Sequence, residues 1–159
     1  MSLFQFISSN TELPQLFSVQ RRFPDGALKA VIDCSDEIYD LEIIECPGEL
    51  YRDIPFYTRF KYIYSIDWEA SNSSNCKKLL EYLQSIDISN EIEIWTIRLC
   101  NITDLPTLEN VRAYVCLIND LNIDYLYDKV KCEDSGDAPK VLKILPTKKP
   151  FSRDKICGC

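Results

Sequence analysis

The sequence predicts an α+β fold: a mostly antiparallel or mixed sheet of about six strands with one or two helices packed on it. Three observations carry this expectation. Apolar residues alternate with a period of two in several separate runs, only Cys76 to Ile86 shows the clean 3.6-residue period of an amphipathic helix, and Pro, Gly, Asn and Ser punctuate the intervals. A chain of 159 residues with 46% hydrophobic content is enough for one packed domain, expected over 1–146, followed by a short basic tail over 147–159.

Residues 1–26 read as mixed, with Pro14 and the turn-like Pro24-Asp25-Gly26 closing the segment. From Leu28, the residues Leu28, Ala30, Ile32 and Cys34 alternate with Lys29, Val31 and Asp33, as in a half-buried strand. Tyr39 to Ile44 repeats the pattern, with Tyr39, Leu41 and Ile43 on one face and Asp40, Glu42 and Ile44 on the other, until Pro47-Gly48 ends it. The interval Ser35 to Ile38 suits a hairpin connection. The cleanest strand is Arg59 to Trp68, whose residues Phe60, Tyr62, Tyr64, Ile66 and Trp68 share a face. Such an aromatic row suits a stacking platform, but stacking platforms sit in basic grooves, so core-facing aromatics are the better account.

Ser71 to Ser74 supplies N-cap candidates for the helix Cys76 to Ile86, in which Cys76, Leu79, Leu80, Leu83 and Ile86 form the apolar stripe. Glu91 to Cys100 returns to strand. It alternates through Glu91, Ile92, Glu93 and Ile94, then turns apolar on both sides at Trp95, which predicts a bulge or burial on both faces. Val111 to Ile118 is a further strand, and Asn119 to Val130 carries a short helical stripe with Asn122 as its cap. Glu133 to Pro139 reads as a loop, Val141 to Leu145 as a last strand, and the remainder as a loose end.

Charge is the loudest signal. Between Asp33 and Glu49 stand seven acidic side chains, Asp33, Asp36, Glu37, Asp40, Glu42, Glu45 and Glu49, with no Lys or Arg among them. The net charge of −7 is uneven: residues 1–128 hold 21 acids against 10 bases, or −11, and residues 129–159 hold 4 acids against 8 bases, or +4. An acidic body argues against nucleic acid or an anionic membrane as partner, since both demand Lys and Arg against phosphate. If the strands at Leu28 and Tyr39 pair, their outer faces and connection gather the acids into one patch. Like charges so placed cost stability, which invites a functional reason or simply marks a solvated face. The expected contact residues for a basic partner are Asp36, Glu37, Tyr39, Asp40, Glu42 and Glu45, with Tyr39 as an anchor. Nothing near Met1 has the basic-then-apolar pattern of a signal peptide, and no stretch approaches the roughly 20 apolar residues of a membrane span, so a cytoplasmic location is expected.

The eight cysteines, at 34, 46, 76, 100, 116, 132, 157 and 159, mostly lie singly inside apolar runs, as small buried hydrophobes do. There is no C-x-x-C and no histidine, so no common zinc spacing can be assembled, and neither metal nor cofactor is expected. The terminal Cys157-Gly158-Cys159 resembles the doubly prenylated end of vesicle-traffic GTPases, but the phosphate-cradling G-x-x-x-x-G-K-[ST] loop those proteins need is missing. Without histidine, the triads built on it are excluded. Carboxylate chemistry survives, with Asp67 and Glu69 or Glu91 and Glu93 as candidate pairs, although acids at i, i+2 on a strand are commonly plain surface.

The segments Tyr62-Ile63-Tyr64-Ser65-Ile66-Asp67-Trp68, Lys77-Lys78-Leu79-Leu80-Glu81-Tyr82-Leu83 and Glu91-Ile92-Glu93-Ile94-Trp95, with the start Phe4-Gln5-Phe6-Ile7-Ser8-Ser9-Asn10, look like those of a class of small bacterial proteins. That class resembles the immunity proteins of bacterial toxin and immunity loci, including contact-dependent growth inhibition. The resemblance implies a non-catalytic protein that neutralises a cognate toxin, many such toxins being basic nucleases, and an acidic surface suits such a target. The competing expectations are self-association through a sheet edge, giving a homodimer, and a carboxylate-based hydrolase.

Overall fold

The computed structural model describes residues 2–17, 41–46, 54–67, 73–99, 110–130 and 138–147. In chain order the elements are β1 (Ser2–Ser9), β2 (Glu42–Glu45), a 3₁₀ turn (Ile54–Phe56), β3 (Tyr62–Asp67), α1 (Ser73–Ser85), β4 (Ile92–Leu99), β5 (Arg112–Leu117), a second 3₁₀ turn (Ile118–Asp120), α2 (Ile123–Val130) and β6 (Lys140–Leu145). The strands form one six-stranded sheet in the order β2-β3-β1-β4-β6-β5. All neighbours are antiparallel except β5 and β6, which run parallel and are joined through α2. The fold is therefore α+β with a mixed sheet and two helices on it, as expected.

The central strand is the one the periodicity does not reveal. β1 pairs β3 on one side and β4 on the other, from Gln5 opposite Ile66 to Ser9 opposite Tyr62 and from Ser2 opposite Leu99 to Ser9 opposite Ile92. It is buried on both faces, so Phe6 and Ile7 stand side by side without polar alternation, and Gln5, though polar, is buried as well. The same cause explains the phase change at Trp95. The β1–β4 register runs without interruption, so β4 has no bulge there, and Trp95 and Ile97 are buried on the face opposite Ile92 and Ile94.

One face carries the helices. Ile7, Ile43, Tyr64, Ile66, Ile92, Ile94, Leu142 and Ile144 from the sheet pack against Cys76, Leu79, Tyr82 and Leu83 of α1 and Leu126 and Val130 of α2. Each such fully buried aliphatic contributes about 1.5–3 kcal/mol of transfer free energy. The predicted α1 stripe is thus correct at Cys76, Leu79 and Leu83, with Tyr82 added and Leu80 and Ile86 at its margin. Asn122 caps α2 as expected, its Oδ1 accepting the Tyr125 N–H at 2.9 Å.

The second face has its own apolar cluster. Phe6 stacks on Trp95 with ring centres 6.0 Å apart, Tyr57 meets Trp95 at 5.6 Å, and Ile54, Ile97 and Val141 complete the group. The strand expected over Leu28 to Cys34 and the connection after it lie outside the described residues. Of the strand expected over Tyr39 to Ile44, the described part is β2, which begins at Glu42.

Candidate functional site

β2 is the outermost strand on its side, and a polar frame holds the chain beside it. Leu16 and Ile43 exchange backbone hydrogen bonds at 2.9 and 2.8 Å, and the Glu45 N–H donates to Gln15 Oε1 at 3.3 Å. Two tyrosines pin the same segment from the core: the Leu13 N–H donates to the Tyr64 hydroxyl at 2.8 Å, and the Tyr82 hydroxyl donates to the Pro14 carbonyl at 2.7 Å. Burial pushes the Tyr64 hydroxyl above its ordinary pKa; the Leu13 N–H opposes this, and the fields of Glu45 and Glu12 add to it. Glu12 and Glu45 both act on this hydroxyl, and both are exposed.

Of the six expected contact residues, Asp36, Glu37, Tyr39 and Asp40 lie outside the described residues. Glu45 is exposed, as a contact residue must be. Glu42 is not. It does lie on the face opposite Ile43, but it is only 6% exposed, opposite Asp67 in the neighbouring strand. The period of two assigns its face correctly; the assumption that this face meets water is what fails, because the second face of the sheet is also packed. Glu12, which sequence reasoning passed over in the mixed opening segment, takes its place at the rim. No local signal marks it, since its segment is tied to β2 by the bridge between Leu16 and Ile43, residues far apart in sequence.

The candidate carboxylate pair Glu91 and Glu93 is arranged differently from the plain surface expected for it. Glu93 is 6% exposed. Its Oε2 accepts hydrogen bonds from Thr58 Oγ1 at 2.9 Å, Trp95 Nε1 at 2.9 Å and Ser8 Oγ at 3.2 Å, and its Oε1 meets Lys143 Nζ at 3.0 Å. Lys143 also reaches Glu91 Oε1 at 3.2 Å. The hydrogen bond to Glu93 is the largest influence holding the Lys143 ammonium above its ordinary pKa; partial desolvation opposes it, and the bond to Glu91 adds to it.

Four segments converge on one carboxylate here. Strand register explains how, since Ser8 stands opposite Glu93 and Glu93 opposite Lys143, on one rung crossing β1, β4 and β6. Thr58 closes the group from above. A general base needs a lone pair aimed at substrate, and Glu93 has both oxygens committed to protein donors. The arrangement cross-links the sheet to the segment after the first 3₁₀ turn. Asp67 contributes its backbone to β3, and Glu69 lies outside the described residues.

A cleft of about 500 Å³ opens elsewhere, at the end of α1, where Ile86, Asp87, Ile88 and Ser89 face Ile118 and Asn119. Neither Glu91 nor Glu93 lines it. Among the described cysteines, Cys76 is fully buried and Cys46 and Cys116 are partly so, all three as free thiols. Burial pushes the thiols of Cys46 and Cys76 up to about 11, the setting of inert packing groups rather than nucleophiles. Among the described residues no group of three or more His, Cys, Asp or Glu could hold a metal ion, and no described helix is long and apolar enough to cross a membrane. Compared with known proteins, the chain matches no family model, no curated protein and no solved structure.

Proposed function

We propose that this chain is a non-catalytic binding protein: a cytoplasmic immunity protein of a bacterial toxin and immunity locus that neutralises a basic, nuclease-type toxin. The observation that carries the reading is the concentration of negative charge at the β2 rim. Glu45 stands exposed at the end of β2, a strand inside a run from Asp33 to Glu49 without one Lys or Arg, and Glu12 stands exposed in the segment that the Leu16–Ile43 bridge ties to it. A nuclease cleft is built to hold phosphate, and carboxylates presented on a rigid strand compete for the same cations while steering fast association.

The Glu93 network supports the same reading from the other side. Its carboxylate is saturated by Ser8, Thr58, Trp95 and Lys143, which leaves it a structural rather than a reacting group. The contact surface we assign is Glu12 and Glu45 with Asp36, Glu37, Tyr39 and Asp40; buried Glu42 supports it without touching the partner.

The test uses the product of the adjacent reading frame as partner. The two proteins are expected to co-purify, and Glu12→Lys with Glu45→Lys is expected to slow association about tenfold or more at low ionic strength, a difference that shrinks as salt screens it. Association at an unchanged rate would remove the acidic rim from the interface. Failure of the pair to co-purify would remove the partner.

A further inference from the structure

The two edges of the sheet are treated differently. The β2 edge is closed by the Leu16 bridge and by Gln15. β5 at the opposite edge pairs with β6, and among the described residues no backbone group pairs with its outer side. The Arg112 N–H donates to the Pro139 carbonyl at 2.9 Å on the β6 side, so Arg112, Tyr114 and Cys116 turn their peptide groups inward. In a parallel strand the alternate residues turn theirs outward, and these are Ala113, Val115 and Leu117. Between Ala113 and Leu117 there is no charged residue and no proline, the usual guards of an exposed edge. Val115 is 58% exposed at the centre of this strand.

We propose that β5 pairs antiparallel with β5 of a second copy, about a twofold axis through Val115, and extends the sheet across a homodimer. The outward residues are symmetric about Val115. The two Val115 peptides then exchange both of their hydrogen bonds, and each Leu117 N–H meets the Ala113 carbonyl of the other copy. The Tyr125 hydroxyl rests on the Val115 carbonyl at 3.5 Å, and a carbonyl oxygen has a second lone pair for the partner.

Charge selects the occupant. Arg112 stands exposed at the start of β5 and Asp120 stands exposed just beyond its end, and neither makes an ion pair among the described residues. Antiparallel pairing centred on Val115 sets Arg112 opposite Ile118 of the second copy. Asp120 of that copy follows in the 3₁₀ turn that ends the strand, where the long arginine side chain would meet it, and symmetry makes the contact twice. A parallel arrangement would oppose like with like. A second copy of this chain therefore satisfies peptide groups and charges together.

The experiment is light scattering and sedimentation equilibrium on the full chain up to about 500 µM, a range that captures weak edge pairing. Wild type is expected to dimerise with slowed exchange of the Ala113, Val115 and Leu117 amides. Val115→Lys, which sets two ammonium groups side by side on a solvent-exposed position, is expected to be monomeric with an unchanged circular dichroism spectrum. Arg112→Asp is expected to weaken the dimer about tenfold, and Arg112→Asp with Asp120→Arg to restore it. A wild type that stays monomeric, or a dimer that Val115→Lys leaves intact, overturns the proposal; a charge swap that fails to restore pairing overturns its register.

Discussion

Glu93 shows how a charge can be kept inside a sheet. Three neutral donors converge on one of its oxygens, and an ammonium shared with Glu91 neutralises the other. Removing one partner of a buried, hydrogen-bonded ion pair costs about 3–5 kcal/mol, because the remaining groups are left desolvated without their match. Glu93→Ala is therefore expected to lower stability by about 3 kcal/mol in urea unfolding. Lys143→Met is expected to cost less, since its side chain is 36% exposed and Glu93 keeps its three other donors. The reverse order of the two variants would show that the network is organised around the lysine. The same neighbourhoods set the response to alkali. Lys143 is held above its ordinary pKa by Glu93 first and Glu91 second, and the thiols of Cys46 and Cys76 rise by burial from 9.0 to about 11. In all three the folded state holds its proton more tightly than the unfolded chain. Their contribution is complete below the unfolded pKa values and is lost as pH rises through the folded ones, so the thiols' part falls from about pH 9 to about pH 11 and the Lys143 part falls only above the ordinary lysine value of 10.5. Urea midpoints across that window are expected to decline, and less steeply in Cys46→Ala with Cys76→Ala; parallel slopes would remove the thiols from the linkage.

At the scale of elements, what could be read from the sequence follows from how many faces each element buries. α1 leaves one face wet and β3 covers one of its faces only in part, where Ile63 meets the second cluster, so Cys76, Leu79 and Leu83, and Tyr64 and Ile66, announce themselves by period. β1 buries both faces and shows no period, although it is the strand about which the sheet is built. Its Gln5 illustrates why: the side-chain amide donates to Thr96 Oγ1 at 3.0 Å and to the Val130 carbonyl at 2.8 Å, satisfying the end of α2 from a position 125 residues away. A polar residue that looks like surface in sequence is a buried helix cap in the fold. The candidate site divides in the same way. The acids of the Asp33 to Glu49 run can be counted and their alternate faces assigned, but the burial of Glu42 depends on a second packed face that no local pattern reveals. The surroundings of Glu93 likewise come from Ser8, Thr58 and Lys143, on three other segments. The opposite end of α2 is local and was readable: Asn122 accepts the Tyr125 N–H at 2.9 Å. Asn122→Ala is expected to cost about 1 kcal/mol, as loss of an N-cap does, with faster amide exchange confined to the first turn of α2. A loss spread over the sheet would place the role of Asn122 outside capping.

Over the whole molecule the charges are out of balance, and salt measures the consequence. A net charge of −7, with −11 carried by residues 1–128, makes the compact state repel itself. Salt would also weaken the surface attractions seen among the described residues, which are slight. Lys77 and Glu81 approach only to 3.8 Å with both side chains well exposed, a pair worth at most about 0.5 kcal/mol. Lys129 is shared between Asp128 at 2.6 Å and the Tyr114 ring at 4.6 Å on the surface, while the Lys143–Glu93 pair is largely shielded from mobile ions by the burial of Glu93. Repulsion is long-ranged and screened once the Debye length falls to about 10 Å or less, near 0.1 M salt. The melting temperature is therefore expected to rise by about 2–4 °C between low salt and about 0.3 M sodium chloride, the shift that about 1 kcal/mol produces in a domain of this size. Most of the rise should fall below 0.1 M, and sodium and potassium chloride should act alike, because screening depends on ionic strength rather than on the identity of the ion. A melting temperature that falls with salt would mean that attractive pairs outweigh the self-repulsion, and the acidic rim would then be internally compensated rather than open to a basic partner.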